Sequence, residues 1–156
     1  MLTYTEEKIF TKEQVQDLFL SIHWESGEYP ERLYKALMHS STVITVWDED
    51  HLVGLARVLD DSEMVAFIHY VIVHPDYQGQ GIAKAMIERI KTKYHDYLYI
   101  DVMPGDQKNA PFYQKCGFTF MTNGAALQII NEGEKRKISL FLYQKCMLEK
   151  EASFFS

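Results

Sequence analysis

The sequence predicts a single-domain α/β fold: a mixed, mostly antiparallel sheet with a central parallel pair, and helices on both faces. Three observations carry this. Residues 42–47, 52–59 and 64–73 are β-rich runs parted by short acidic turns, so three antiparallel strands follow one another. The third run breaks at Pro75, passes Gly79 and Gly81, and re-enters a helical pattern with Ile82, Ala83, Met86, Ile87, Ile90 and Tyr94 on one side. Residues 97–102 then return as a strand, which closes a βαβ crossover and makes that pair parallel.

The elements can be justified in order. Thr11 and Gln14 form a capping box, and Val15, Leu18, Phe19 and Ile22 recur at helical spacing, which predicts a helix over 12–22. Pro30 sits where a helix start tolerates it, and Leu33 with Leu37 supplies the stripe of a second, shorter helix. The run 64–73 is almost continuously apolar, with His69 as its one clearly hydrophilic member, and so belongs mid-sheet, covered on both faces. After Pro104-Gly105 a short helix carries Asn109, Phe112, Tyr113 and Cys116 on one face, and Gly117 ends it. Strands are expected from Phe118 onward and over 138–147, giving the order β-α-α-β-β-β-α-β-α-β-β.

Composition bounds the function. A chain of 156 residues that is 47% hydrophobic can bury a full core, and no composition shift divides it, so residues 1–156 read as one domain, monomeric or homodimeric. A net charge of -6 opposes a nucleic-acid role, and the one dense basic run, Lys135-Arg136-Lys137, reads as a solvated strand start. The first ten residues lack the basic start and apolar core of a secretory signal, and no stretch is long enough to cross a bilayer, so no membrane partner and a cytoplasmic location are expected. Cys116 and Cys146 read as buried thiols, and the six histidines show no ligand cluster, so no metal is expected.

The loop between run 64–73 and its helix carries the chemistry. Glycines at 79 and 81 let backbone approach a bulky anion, and the helix behind them aims its open amides and positive dipole end at the same place. A phosphate-binding P-loop would need a Lys-hydroxyl pair, which is missing. A dinucleotide fingerprint would put Lys84 where its third glycine belongs; Asp101 does stand 20 residues past Gly81, as a ribose-binding acid would, but only 55 residues follow it, too few to complete a doubly wound sheet. A plain surface turn is the bland alternative.

The third pattern is Gln78, Gly81 and Ala83 within Val73-His-Pro-Asp-Tyr-Gln-Gly-Gln-Gly-Ile-Ala83, joined by Leu52-Val-Gly54 upstream and Asn109-Ala-Pro-Phe-Tyr-Gln-Lys-Cys-Gly-Phe118 downstream. In these segments the chain resembles the GNAT superfamily of acyl-coenzyme A dependent N-acetyltransferases. The resemblance implies that the parallel pair is splayed to hold acetyl-CoA. It implies that Gln78, Gly79, Gln80, Gly81, Ile82, Ala83 and Lys84 cradle the pyrophosphate. Val71, Ile72 and Val73 would offer main-chain hydrogen bonds to the pantetheine arm, with Asn109 and Phe112 touching that arm from the far side. Tyr113 resembles the tyrosine that protonates the leaving thiolate, and the oxyanion would be held by a backbone amide of the central strand.

Many relatives place a carboxylate in the central strand as general base, whereas residues 67–71 here read Phe-Ile-His-Tyr-Val. Strand alternation lets only one of His69 and Tyr70 face the cleft, and His69 can relay a proton near neutral pH. Solvent, Glu25 and Glu28 are the other proton sinks. The segment 23–30 resembles the wall of the acceptor site, with Trp24 and Tyr29 to stack on an amine and the two acids to attract it; packing the two helices together is the alternative for these residues. Arg57 reads as an exposed strand arginine. The expected activity is direct acetyl transfer in a ternary complex to a primary amine, of a small molecule rather than a protein terminus; the alternative is a catalytically inactive coenzyme A binding or sensing module.

Overall fold

Thr11 accepts from the amide of Gln14 at 3.1 Å while the Gln14 side chain accepts from the amide of Thr11 at 2.9 Å, so the first helix starts with the reciprocal cap that its sequence predicts. In this computed structural model, which describes residues 1–131, four helices form: α1 (Lys12–Ser21), α2 (Pro30–Met38), α3 (Ile82–Lys93) and α4 (Ala110–Lys115). Strands β1 (Leu2–Thr5), β2 (Thr42–Asp48), β3 (His51–Asp60), β4 (Val65–Val73) and β5 (Tyr99–Val102) lie side by side in chain order. The first four run antiparallel, and β4 pairs with β5 in parallel.

Each sheet face has its own helical cover, because the sheet alternates and each helix buries a single stripe. Val15, Leu18 and Phe19 of α1, with Leu33 and Leu37 of α2, pack on Val43, Leu55 and Ile72. On the other face Met86, Ile87 and Ile90 of α3 pack on Ile44, Val53, Ala56 and Ile68. Gly54 permits this closeness: a Cβ there would stand 3.1 Å from Val46 and 3.2 Å from Ile82. Tyr94, the C-cap of α3 and 2% exposed, donates its hydroxyl to Asp60 at 2.7 Å and shares a 2.6 Å hydrogen bond with Thr42. Burial, and then the bond to Asp60, push its phenol pKa well up.

Two features of β4 position the site. Its pairing with β5 runs only from Val65↔Tyr99 to Ile68↔Val102, so residues 69–73 have, among the described residues, β3 alone as a partner strand. Its register against β3 slips as well: Arg57 faces Tyr70 but Val58 faces Ile68, which leaves His69 as the extra residue of a β-bulge. The bulge inverts the alternation. Ala66 and Ile68 pack on the α3 side, whereas above it Val71 and Val73 do so, and Tyr70 and Ile72 turn toward α1 and α2.

Three expectations are corrected. His69 is the exposed member of β4, so the expected cover on both faces lapses at the bulge. Residues 118–131 contain no strand: Phe118 folds back on Tyr113 by an amide bond of 3.0 Å, a turn closes from Met121 to Gly124, and Phe120, Leu127 and Ile129 stand exposed. A strand requires a ladder partner, and this segment finds none among the described residues. The returning strand begins at Tyr99, because Tyr97 instead bonds back to Tyr94 at the end of the helix. The expected strand over 138–147, the basic run 135–137 and Cys146 lie outside the described residues. Among the described residues no helix is long and apolar enough to cross a membrane.

Candidate active site

The chain leaving β4 is fastened before it reaches its glycines. The His74 amide donates to Val53 O at 2.8 Å, the Tyr77 hydroxyl to Asp48 at 2.6 Å, and the Gln78 side chain back to Val73 O at 3.1 Å. Gly79 and Gly81 then both take φ +80°, the left-handed region that disfavours side chains, and a Cβ on either would meet nothing within 4 Å. Gly81 is the N-cap of α3 and contributes no side-chain cap, so the first amides of a 12-residue helix open onto that space. Gln80 and Lys84 are exposed beside it, Ala83 is half-buried, and the Ile82 side chain is buried in the core, so what Ile82 can offer is backbone. A pocket of open amides free of side chains fits a diphosphate.

Beside this cradle, the edge of β4 from residue 69 to Val73 faces a gap rather than β5. The two faces of that gap are furnished differently. On the α3 side, Tyr113, Phe112, Val71 and Val73 pack against one core cluster. Tyr113 meets the rings of Phe112 at 5.0 Å and Phe118 at 5.8 Å, and burial, with a lesser effect of the Cys116 thiol, pushes its pKa up to about 12. It is a phenol that holds its proton at any working pH. Asn109 stands exposed at the N-terminus of α4.

On the α1 side, Tyr70 stacks edge-on to Phe19 at 4.9 Å, lies 5.6 Å from Trp24, and its hydroxyl shares a 2.7 Å hydrogen bond with Ser26. The short 3-10 turn Glu25–Glu28 is thereby joined to the bulge. Oε1 of Glu25 is buried there, Glu28 is exposed at the turn's end, and Tyr29 is the N-cap residue of α2. Trp24 is thus brought to Tyr70, whereas Glu28 and Tyr29 have no ring contact or side-chain hydrogen bond to it.

Sequence reasoning missed the group at the centre of this face. Arg57 is half-buried rather than exposed: Nε donates to Ser40 Oγ at 2.8 Å, Nη1 to His69 Nδ1 at 2.7 Å, and the guanidinium lies 5.5 Å from the Tyr70 ring centre. The signal that could have found it was a lone charge inside an otherwise apolar strand. The bulge also defeats the alternation argument: the rings of His69 and Tyr70 lie 4.1 Å apart on the same side.

Arginine can only donate, so Nδ1 of His69 accepts and the ring is neutral with its proton on Nε2. Partial desolvation, and secondly the charge of Arg57, hold the His69 pKa below its ordinary 6.5. A histidine depressed in the folded state binds its proton more readily once unfolded. The stability it contributes is therefore complete above about pH 6.5 and is lost as pH falls through the interval down to the folded-state value. Melting temperature should decline in wild type on going from about pH 7 to about pH 5, and His69→Gln should flatten that decline; parallel curves for the two proteins would show that His69 does not carry it.

Residues 9–118 match the model of the acetyltransferase (GNAT) family. An uncharacterized N-acetyltransferase ycf52-like protein of Prochlorococcus marinus is 31% identical over 116 residues, 71% of this chain and 64% of that relative. A Glycine max protein named histone acetyltransferase TAP1 is 36% identical over 72 residues, 46% of this chain and 31% of its own length. The chain thus spans less than two-thirds of either curated relative. Among solved structures, a GNAT family acetyltransferase from Streptococcus pneumoniae superposes with a TM-score of 0.73 at 27% identity, covering 85% of this chain and all of that one. A family match over most of the chain, with the glycine cradle and the open strand edge inside the matched residues, is sufficient: the chain belongs to the GNAT family of acetyltransferases.

Proposed function

We propose that this protein moves the acetyl group of acetyl-CoA to the primary amine of a small molecule, by direct transfer in a ternary complex. The observation that carries the reading is the side-chain-free cradle of Gly79 and Gly81, placed at the end of a strand whose next edge is open. The amides of residues 78–84 bind the diphosphate, and the edge at Val71, Ile72 and Val73 lines up the arm as an added strand would. Asn109 and Phe112 bound the arm on the far side.

The chemistry divides between the faces. An alkylamine of pKa near 10 is neutral in roughly 0.1% of molecules at pH 7, so the site must take the scarce free base or receive its proton. The nitrogen lone pair attacks the thioester carbon, and a bulge amide of β4 faces the oxygen that gains charge. The carbon-sulfur bond then breaks, and the Tyr113 hydroxyl gives its proton to the departing thiolate. His69 is poorly placed as the base: Nδ1 is held by Arg57, and a second proton would set a cation against that guanidinium. Its work is to orient Arg57, and the ammonium proton leaves through water at the exposed bulge. Trp24 walls the acceptor side; Tyr29, Glu25 and Glu28 shape its approach.

A catalytically inactive coenzyme A sensing module is the second reading, favoured by the lack of any carboxylate in residues 65–73. One assay separates the two. Acetyl-CoA at 100 times its dissociation constant should stabilise the fold by about 2.7 kcal/mol, with NAD and ATP giving nothing, and a panel of small amines should release free thiol and acetylated product. Stabilisation without product on any amine would favour the sensor, and no stabilisation at all would remove both readings.

A further inference from the structure

Arg57 is a cation kept at some cost. Charges withdrawn from water are ordinarily matched by an opposite charge, since desolvation penalises the ionised form. This guanidinium is half-buried and forms no ion pair with any carboxylate among the described residues. Of its five N–H donors, one goes to Ser40 and one to His69, which leaves three without a partner among the described residues. Both partners are neutral, and both fix its direction: Ser40 Oγ is itself anchored by donating to Ala36 O at 2.7 Å, and His69 presents its one basic nitrogen. Tyr70 supports the guanidinium as a cation-π partner but supplies no counter-charge.

We infer that Arg57 is the recognition site for an anionic group, a carboxylate or phosphate, carried by the acceptor amine. This deepens the transfer reading above and rests on it. The placement suits the role: Arg57 pairs with Tyr70 at the bulge, where β4 parts from β5, and lies on the acceptor side of the sheet beside Tyr70 and Trp24. A planar guanidinium held from two sides is pre-organised for two-pronged binding of such an oxyanion. The face is not uniformly cationic. Asp101 is in register with Phe67 on β5, and its neighbours Ile100 and Val102 both pack toward α3, so strand alternation turns Asp101 to the acceptor side. It stands two strands from Arg57 and, because its partner Phe67 pairs with Leu59, two residues further along, roughly 12 Å away. A molecule with an ammonium near one end and an anion at the other matches both.

The experiment is acetyl transfer to matched acceptors: an α-amino acid against its methyl ester, and an amino-sugar phosphate against the parent amino sugar. Wild type should favour the charged member of one pair by roughly 10- to 100-fold in kcat/KM, the usual worth of hydrogen bonds to charged groups, and the pair that responds tells carboxylate from phosphate. In Arg57→Gln the ratio should fall toward one, and Arg57→Lys should keep part of it. Acetyl-CoA-induced thermal stabilisation reports whether each variant is folded; if Arg57→Gln is not, the wild-type ratio and Arg57→Lys decide. Equal rates for both members of both pairs in wild type, or a ratio unchanged in the variants, overturns anion recognition and leaves the transfer reading intact. Acetyl-CoA binding with no amine of either kind acetylated overturns the transfer reading, and this inference falls with it.

Discussion

Replacing Tyr113 by Phe should lower turnover by roughly 100-fold or more, the scale of a lost general acid, while acetyl-CoA affinity is unchanged. The ring is kept, so its contacts with Phe112 and Phe118 and its place on the core cluster survive, and only the hydroxyl goes. A pKa of about 12 ensures the phenol is protonated whenever the enzyme works. Protonating a thiolate of pKa near 8.5 from such a phenol is uphill by roughly 3 to 4 units in water, but the burial that raises the phenol also raises a thiol lying in the same gap. On the proposed mechanism the proton would therefore move as the carbon-sulfur bond breaks, when the sulfur is most basic. Steady-state kinetics with calorimetric binding of acetyl-CoA checks this. A variant with full turnover would move the proton to solvent and leave Tyr113 as a core aromatic.

The second large effect concerns the cradle. Gly79→Asp should weaken acetyl-CoA binding by roughly 100-fold or more, because a carboxylate about 4 Å from a diphosphate costs several kcal/mol even at an effective dielectric of 20. Gly79→Asn is the matched control. Both side chains tolerate the left-handed backbone that φ +80° imposes, and the Cβ of each would meet nothing beyond its chain neighbours within 4 Å, so they share the strain and differ in charge. The Asn variant should bind acetyl-CoA between wild type and Asp, with similar melting temperatures for the two variants. Equal affinities of Asn and Asp variants in a calorimetric titration would mean that no anion sits over residue 79.

How much of this was legible beforehand depended on how local each signal was. The cap at Thr11 and Gln14, the start of α2 at Pro30, the three antiparallel runs and the strand-glycine-helix unit are set by neighbours within a few residues, and each formed where expected. Phe118 and the residues after it had strand composition but no partner among the described residues, and strand formation is a property of pairs. Arg57 looked like a surface charge because the serine that fixes it lies 17 residues away and the histidine 12 residues away. His69 and Tyr70 looked like alternatives because alternation assumes an unbroken register.

By itself, then, the amino-acid order determined most of the element types, the glycine-bearing turn and the family, since these follow from backbone preferences and short-range spacing. Only the folded chain decided that one residue too many in β4 turns His69 and Tyr70 to the same side just where the pairing with β5 ends, with Arg57 drawn against the bulge. Register is settled by the total packing of two sheet faces under two sets of helices. No window of sequence contains both.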